Sequence, residues 1–245
     1  MRLSRSKIDL YLNCPKCFYL DVKKRVKRPP GFPFTINSEI DRLLKNEFDI
    51  HRAKHTTHPL MKAYGVEAVP FEHPKMDEWR DSLRRGITYP FPETDLIITG
   101  GVDDIWVNQG GQLIIVDYKA TAKVGEVNLD ADWQIGYKRQ MEIYQWLFRK
   151  NGFEVAETGY FVYCNGRTTQ ESFDAKLEFD IKLIPYRGNP NWVDETVKEI
   201  WQCLCSEIIP DQNPECEYCN YANNFGRVSS KEIIIEKKIE QLRLG

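Results

Sequence analysis

The chain has 245 residues, of which 42% are hydrophobic and 29% charged, and its formal net charge is −2. This composition is typical of an ordinary globular protein of one large or two small domains, and it excludes a chain with a global basic field. No run of about eighteen apolar residues is present, and the first residues lack the apolar core of a signal peptide. We therefore expect a cytoplasmic protein without a membrane partner, in which any nucleic-acid binding uses a local patch.

The N-terminal part begins with a predicted short helix over residues 4–13, closed by Pro15. Residues 16–28 then carry six lysines and arginines against one acid. Such a run is either a solvated face or a phosphate-contacting segment, in which Phe18 and Tyr19 would stack on bases. Helical spacing predicts a second helix over residues 35–53. The segment 52–95 is weakly patterned, and we interpret it as an insertion or a substrate-facing segment.

A β-hairpin is predicted for Gly100–Val107 and Leu113–Lys119, because Asn108–Gly111 between them is rich in turn residues. If the loop has three residues, Asn108 pairs with Gln112 and the register continues to place Asp103 opposite Asp117. If the loop has two residues, Asp103 faces away.

Acids and a lysine occupy positions of this hairpin where a core would carry apolar side chains. Residues two apart in a strand share a face, so Asp117 and Lys119 point one way and Tyr118 the other. Two converging carboxylates repel unless a cation lies between them, and Mg²⁺ or Mn²⁺ suits oxygen ligands. Lys119 could then orient a water or stabilise a phosphate. The alternative is an exposed hairpin with surface ion pairs, although the apolar run 113–116 favours a buried strand.

The second half alternates helices and strands. A helix over residues 132–150 is predicted to place five side chains on one apolar face, and Gln140 shares a face with Tyr144. The five are Trp133, Tyr137, Met141, Tyr144 and Phe148. Strands are predicted at 159–164 and 177–183, a helix at 191–208, and a terminal helix or strand at 230–243. The order of elements predicts an α/β fold with a mixed central β-sheet flanked by helices.

Four of the seven cysteines form two pairs, Cys14-x-x-Cys17 and Cys216-x-x-Cys219, the second within a C-terminal segment at 210–225. Such pairs in an intracellular chain indicate metal ligation rather than disulfides. Four thiolates bind either Zn²⁺ or an iron–sulfur cluster. A site of this kind would join the N- and C-terminal segments; the alternative is four incidental thiols.

Taken together, these motifs resemble the PD-(D/E)XK nuclease superfamily, in its RecB-like branch of RecB and AddB nuclease domains and CRISPR-associated exonucleases. The resemblance extends from the N-terminal helix leading to Cys14-Pro15 to the last cysteines. Gly100-x-x-Asp103 resembles the second motif of the branch. Asp117-Tyr118-Lys119 resembles its D/E-x-K core, and Gln140-x-x-x-Tyr144 its downstream helix motif.

This resemblance implies a single nuclease domain over residues 1–245 with a restriction-endonuclease-like core. It implies that Asp103 and Asp117 bind Mg²⁺ or Mn²⁺ with the Tyr118 carbonyl, and that Lys119 positions the attacking water. Gln140 and Tyr144 would orient Lys119 or contact DNA.

The chain departs from the branch at two places. Asp41 stands where a metal-ligating histidine is often found on the early helix, and Glu39 and His51 are rivals for that role. Iron–sulfur members of the branch carry one N-terminal and three C-terminal cysteines. Here Phe225 occupies roughly the place of the last cysteine, while Cys17 is an additional N-terminal one. This two-plus-two arrangement leaves Zn²⁺ and a [4Fe-4S] cluster both open.

The resulting hypothesis is a metal-dependent DNA nuclease, an exonuclease on single strands or DNA ends, acting in repair, recombination or CRISPR-type defence with a partner complex. The first alternative is a catalytically weak nucleic-acid-binding or scaffold protein that retains the fold. The second is a structural metal module built on the cysteines.

Overall fold

The strands of the computed structural model, which describes residues 1–31 and 35–229, form two sheets. Their bounds are β1 Arg2–Ser4, β2 Ala68–Pro70, β3 Ile87–Pro90, β4 Ile97–Gly100, β5 Asp104–Asn108, β6 Leu113–Thr121, β7 Thr158–Gly166 and β8 Phe179–Arg187. The smaller sheet has the order β1-β4-β3 and the larger one β2-β5-β6-β7-β8. In the larger sheet β6 and β7 run parallel and the other pairs antiparallel, so the predicted mixed sheet is confirmed.

Four helices of the described residues lie at the segments predicted to be helical, 4–13, 35–53, 132–150 and 191–208, and four others were not predicted. The helices are α1 Arg5–Asn13, α2 Pro15–Val22, α3 Thr35–Ala53, α4 Pro59–Ala63, α5 Met76–Arg80, α6 Ile135–Lys150, α7 Val193–Cys205 and α8 over residues 217–229. Short 3-10 turns precede α6 at Asp132–Gln134 and α7 at Pro190–Trp192. No helix in the described part of the chain is long and apolar enough to cross a membrane.

Two units of the chain are separately compact. One contains Met1–Ser6 and Phe32–Lys198 and holds both sheets; the other contains Lys7–Gly31 and Glu199–Gly245 and holds the two cysteine pairs. The segment 52–95 supplies β2 and β3 to the sheets of the first unit.

Alternation along β6 sends neighbouring side chains to opposite faces of the larger sheet. Val116 and Tyr118 join a buried cluster with Leu44 and Phe48 of α3. Asp117 and Lys119 point to the opposite face, toward α6, where Lys119 Nζ donates to Gln140. The sheet is therefore covered by α3 on one face and by α6 on the other.

Two glycines allow α6 to approach the sheets. A Cβ atom on Gly100 would lie 2.7 Å from the Tyr144 ring, and one on Gly159 would lie 2.4 Å from the Met141 sulfur. Any larger residue at either position would push α6 away.

The structure corrects several sequence predictions. The first hairpin strand is interrupted at residues 101–103, because β4 belongs to the smaller sheet and β5 to the larger. Trp133 lies in a 3-10 turn and is 65% exposed, so it is not part of the apolar face. Leu177 precedes β8 and is exposed, and the helix predicted to residue 208 ends at Cys205. The prediction for residues 230–243 lies outside the described residues.

Candidate active site

The hairpin of β5 and β6 has the register predicted for a three-residue loop. Asp104 lies opposite Val116, and the Asn108 N–H donates to the Gln112 carbonyl at 3.1 Å. Gly111 closes the turn with φ +80°, a conformation that favours glycine. Asp103 lies in the bend before β5, and the same register places it opposite Asp117.

Asp117 is fully buried; its Oδ2 pairs with the Lys119 ammonium, and its Oδ1 has no hydrogen-bond partner. Its charged neighbours include Lys119, whose Nζ lies 2.5 Å from Asp117 Oδ2, Asp103 and Arg5. Burial raises the pKa of the Asp117 carboxyl to about 6, against the opposing charge of Lys119. The predicted alternative of an exposed hairpin with surface ion pairs is therefore wrong. A buried carboxylate oxygen without a hydrogen bond, such as Asp117 Oδ1, is costly unless a cation completes its surroundings.

Lys119 connects this carboxylate to α6. Its Nζ donates to Gln140 Oε1 at 3.2 Å, and Gln140 Nε2 donates to the Tyr144 hydroxyl at 3.3 Å. The same Nζ lies 4.3 Å from the centre of the Tyr137 ring. Although burial acts to lower it, the charges of Asp117 and Asp103 raise the pKa of Lys119 above its ordinary value. Lys119 is therefore a fixed cation, held by side chains on three sides.

Asp41 on α3 reaches the site through a lysine. Lys45 Nζ lies 2.8 Å from Asp41 Oδ2 and 3.9 Å from Asp103 Oδ1. Burial, followed by the charge of Asp103, raises the pKa of Asp41 above its ordinary value, although Lys45 opposes the shift. Its rivals are engaged in other contacts: Glu39 pairs with Arg42 at an exposed position, and His51 bonds to Thr56.

Asp103 is fixed by the backbone of β6. Its Oδ2 accepts the Tyr118 N–H at 2.8 Å, which holds the carboxylate against the strand that carries Asp117 and Lys119. The Tyr118 side chain points to the other face of the sheet, where its hydroxyl donates to Asp104 Oδ2 at 3.0 Å. The predicted role of the Tyr118 carbonyl as a metal ligand stays a prediction.

A buried charge network behind the site is absent from the sequence prediction. Asp104 has no exposed surface, and its Oδ1 accepts from Arg80 Nη2 at 2.8 Å and from Arg52 Nη2. Asp49 binds both arginines, with Arg80 Nη1 2.9 Å from each of its oxygens. Through the Tyr118 hydroxyl, which donates to Asp104, the network is connected to the part of β6 that carries Asp117.

One signal in the sequence could have indicated this network. Asp103 and Asp104 are adjacent, so in a strand they must face opposite sides, and the second acid then needs a buried cation. Arg52 and Arg80 come from α3 and α5, and no local pattern connects them to Asp104. The sequence prediction also omitted Arg5, whose charge acts to lower the pKa of Asp117.

The four paired cysteines meet within the second unit. The Sγ atoms of Cys14 and Cys219 are 3.8 Å apart, those of Cys17 and Cys216 3.6 Å, and those of Cys17 and Cys219 3.4 Å. All four sulfurs lie within 4.8 Å of one another and are buried. Across residues 1–31 and 35–229, no other group of three or more histidine, cysteine or acidic ligand atoms is this close. The predicted cluster that joins the N- and C-terminal segments is confirmed.

Polar groups around the cluster suit thiolates. Arg28 Nη2 donates to Cys216 Sγ at 3.3 Å, and its guanidinium lies 4.5 Å from the centre of the Tyr218 ring. Burial acts to raise the pKa of Cys14, but N–H groups of Cys17 and Asn213 lower it to about 7. These donors favour the deprotonated form of Cys14 that binds metal, whereas burial raises the pKa of Cys17 and Cys219.

The basic run at 16–28 does not present the aromatic side chains suggested for base stacking. Phe18 and Tyr19 are fully buried in the second unit. Lys23 pairs with Glu207, and Arg28 is engaged at the cysteine cluster. The prediction that Phe18 and Tyr19 stack on bases is therefore wrong.

Asp103, Asp117 and Lys119 thus lie together at the β5–β6 hairpin of the mixed sheet. A family model described as the PD-(D/E)XK nuclease superfamily matches residues 36–223. The chain belongs to the PD-(D/E)XK nuclease superfamily. Membership implies a metal-dependent, nuclease-like function and a nucleic-acid substrate.

Comparisons with individual proteins add no assignment of function. The crystal structure of SSO0001 is 16% identical with a TM-score of 0.46, and the match covers 90% of this chain and 84% of that one. No curated protein matches the sequence.

Proposed function

We propose that this chain is a Mg²⁺- or Mn²⁺-dependent deoxyribonuclease of the RecB-like branch. Its proposed substrates are single strands or DNA ends, in repair, recombination or CRISPR-type defence with a partner complex. The observation that carries the proposal is Asp117, which is fully buried beside Asp103, with Oδ2 paired to Lys119 and Oδ1 without a hydrogen-bond partner. The order of the Asp103, Asp117-x-Lys119 and Gln140-x-x-x-Tyr144 motifs supports the branch.

The oxygen donors of this site suit a hard divalent cation in their chemistry. Asp103 and Asp117 would supply carboxylate oxygens, the Tyr118 carbonyl a further oxygen, and Asp41 a third carboxylate. The oxygens of the three acids do not all lie within 4.8 Å of one another, so a bound ion would have to draw them together. When bound, such an ion polarises a phosphoryl oxygen and lowers the pKa of a bound water.

The chain's own residues then have distinct tasks. Lys119 presents a positive charge to the phosphate and holds the attacking water. Gln140 keeps the Lys119 ammonium in place, and Tyr144 keeps Gln140 in place. A donor fixed in advance is worth more in a water-excluded site than in water, because no reorganisation is needed during the reaction.

One observation favours the non-catalytic alternative. Lys45 already provides a cation for Asp41 and lies 3.9 Å from Asp103. A lysine that neutralises these carboxylates would reduce the affinity for a divalent ion, and the chain would then be a nucleic-acid-binding or scaffold protein.

The test is cleavage of end-labelled linear and circular single-stranded DNA in Mg²⁺, Mn²⁺ or Ca²⁺. We expect degradation of the linear strand in Mg²⁺ or Mn²⁺ and none in Ca²⁺, whose larger, more flexible coordination does not support the same geometry. Circular DNA should resist if strand ends are required. Salt-sensitive DNA binding without cleavage in any metal would contradict the nuclease proposal and support the scaffold protein.

For the cysteines, we propose a single tetrahedral Zn²⁺. A Zn–S bond of about 2.3 Å gives sulfur–sulfur distances of about 3.8 Å in a tetrahedron. The three distances between 3.4 and 3.8 Å support this size. In a [4Fe-4S] cluster the four thiolates bind four different irons, which requires a larger cage.

Metal analysis of the purified protein tests this proposal. We expect a colourless protein with about one Zn²⁺ per chain, in keeping with the closed four-thiolate sites of structural zinc. Cys216→Ser should lower the zinc content, whereas Cys164→Ser, at a buried thiol outside the cluster, should leave it unchanged. A brown protein containing iron and sulfide would establish the iron–sulfur cluster instead.

A further inference from the structure

Trp133 is an exposed aromatic residue held in a fixed position. Its neighbour Gln134 is buried and makes two bonds to the preceding loop: Oε1 accepts the Ala131 N–H at 3.0 Å, and Nε2 donates to the Asn128 carbonyl at 2.8 Å. These bonds fix the 3-10 turn that carries Trp133. The indole is therefore presented to solvent by a well-bonded turn, although it has the largest apolar surface of any side chain.

Aromatic contacts connect this indole to the proposed catalytic lysine. The Trp133 and Tyr137 rings are 5.5 Å apart at 82°, an edge-to-face contact. The Tyr137 ring in turn lies 4.3 Å from Lys119 Nζ. Only the Tyr137 ring therefore separates Trp133 from Lys119.

A small cavity adjoins the indole at the end of β6. It has a volume of about 120 Å³, and its lining includes Trp133, Tyr163, Thr121 and Lys123. Thr121 is two residues beyond Lys119 on the same strand, so the cavity lies further along β6 from the proposed site. Lys123 is exposed and adds a positive charge at its rim.

We propose that Trp133 stacks on an unpaired nucleobase of a single-stranded DNA substrate, next to the phosphate that Lys119 contacts. The inference rests on the proposed nuclease function and names the form of DNA that the site accepts. Aromatic rings that stack on bases, beside cations that contact the backbone, are the common means of binding single strands without sequence preference. In a duplex each base already stacks on its neighbours, so its face is not available to the indole.

The test measures binding without cleavage, in an Asp117→Asn background, by fluorescence anisotropy of a labelled oligothymidine. Trp133→Ala should weaken binding about 5- to 150-fold, which corresponds to about 1–3 kcal/mol for one stacked base. Trp133→Phe should retain most of the affinity, because phenylalanine keeps an aromatic face. Equal thermal midpoints of the variants show that folding is unchanged.

Tyr64→Ala is the matched control. Tyr64 is also an exposed aromatic residue of the first unit. It precedes Gly65, which lines a cavity with Gln109 at the hairpin turn, the end of β5 and β6 away from Asp103 and Asp117. We expect this variant to bind the oligonucleotide as the parent does.

The outcomes separate this inference from the nuclease function. Cleavage that depends on Asp117, together with unchanged binding by Trp133→Ala, would overturn the stacking role and leave the nuclease function intact. Weaker binding by Trp133→Ala in a protein that never cleaves DNA would support stacking and reject the nuclease function. An equal loss of affinity for duplex DNA would also overturn the inference, because the indole would then not select unpaired bases.

Discussion

Replacing Asp117 with asparagine is expected to lower the rate of Mg²⁺-dependent DNA cleavage about a hundred- to ten-thousand-fold. The substitution keeps the shape of the side chain and removes the charge that would hold the cation. A metal ion at such a site stabilises the transition state by several kcal/mol, and about 1.4 kcal/mol corresponds to a factor of ten in rate. The measurement is the single-turnover cleavage rate of a labelled single strand at saturating protein.

Metal binding distinguishes the two roles proposed on β6. Asp117→Asn should lose Mn²⁺ binding, measured calorimetrically, because a ligand is removed. Lys119→Met should lose cleavage and retain Mn²⁺ binding, because Lys119 acts on the phosphate and water and not on the ion. Loss of Mn²⁺ binding in both variants would mean that the two residues act as one structural unit.

Asp95→Asn is the matched control for the charge change. Asp95 is well exposed and lies near the chain's amino group, between β3 and β4. It should cleave DNA at the parental rate. Wild-type cleavage by Asp117→Asn would show that the reactive site lies elsewhere in the protein.

Local chemistry explains why the hairpin could be predicted from the sequence. The turn depends on Asn108, whose Oδ1 accepts the Gln112 N–H at 2.9 Å, and on Gly111 with its positive φ. Both are near neighbours in the chain, so local propensity indicates the turn. It left two- and three-residue loops open, and the structure has the three-residue register. Once the register is known, strand alternation places Asp117 and Lys119 on one face. The α6 residues Gln140 and Tyr144 follow from helical spacing for the same reason.

Features that depend on distant parts of the chain could not be predicted in this way. The sequence shows no sign that β4 and β5 belong to different sheets, because pairing with β1 and β3 separates them. Periodicity placed Trp133 on the buried face, but the 3-10 turn before α6 rotates it into solvent. Lys45 is one helical turn from Asp41, and only the fold brings it near Asp103.

The buried network around Asp104 leads to the second large expected effect, on stability. Asp104→Ala should lower the free energy of unfolding by about 3–5 kcal/mol, the usual cost of removing one partner of a buried ion pair. The loss is large because Arg52 and Arg80 are both nearly buried and both donate to Asp104, as does the Tyr118 hydroxyl. Urea unfolding followed by tryptophan fluorescence measures it.

Two further variants serve as comparisons for Asp104→Ala. Asp180→Ala removes a carboxylate that pairs with Arg167 at an exposed position, and it should leave the urea midpoint close to that of the parent. Asp104→Asn keeps an oxygen acceptor for the arginines and removes only the charge, so its loss should be smaller than that of Asp104→Ala. Equal urea midpoints for Asp104→Ala and the parent would contradict a structural role for the network.

The network also bears on activity, because Asp104 is adjacent to Asp103 and bonds to the side chain of Tyr118, which lies between Asp117 and Lys119. Asp104→Asn should therefore fold and yet cleave DNA more slowly. Asp103 and Asp117 would be held less firmly, and displacements near 1 Å at a reactive site lower the rate strongly. The expected signature is a lower single-turnover rate with unchanged affinity for the oligonucleotide. A parental rate in a destabilised Asp104→Ala variant would restrict the network to stability alone and leave the positions of Asp103 and Asp117 to the hairpin turn.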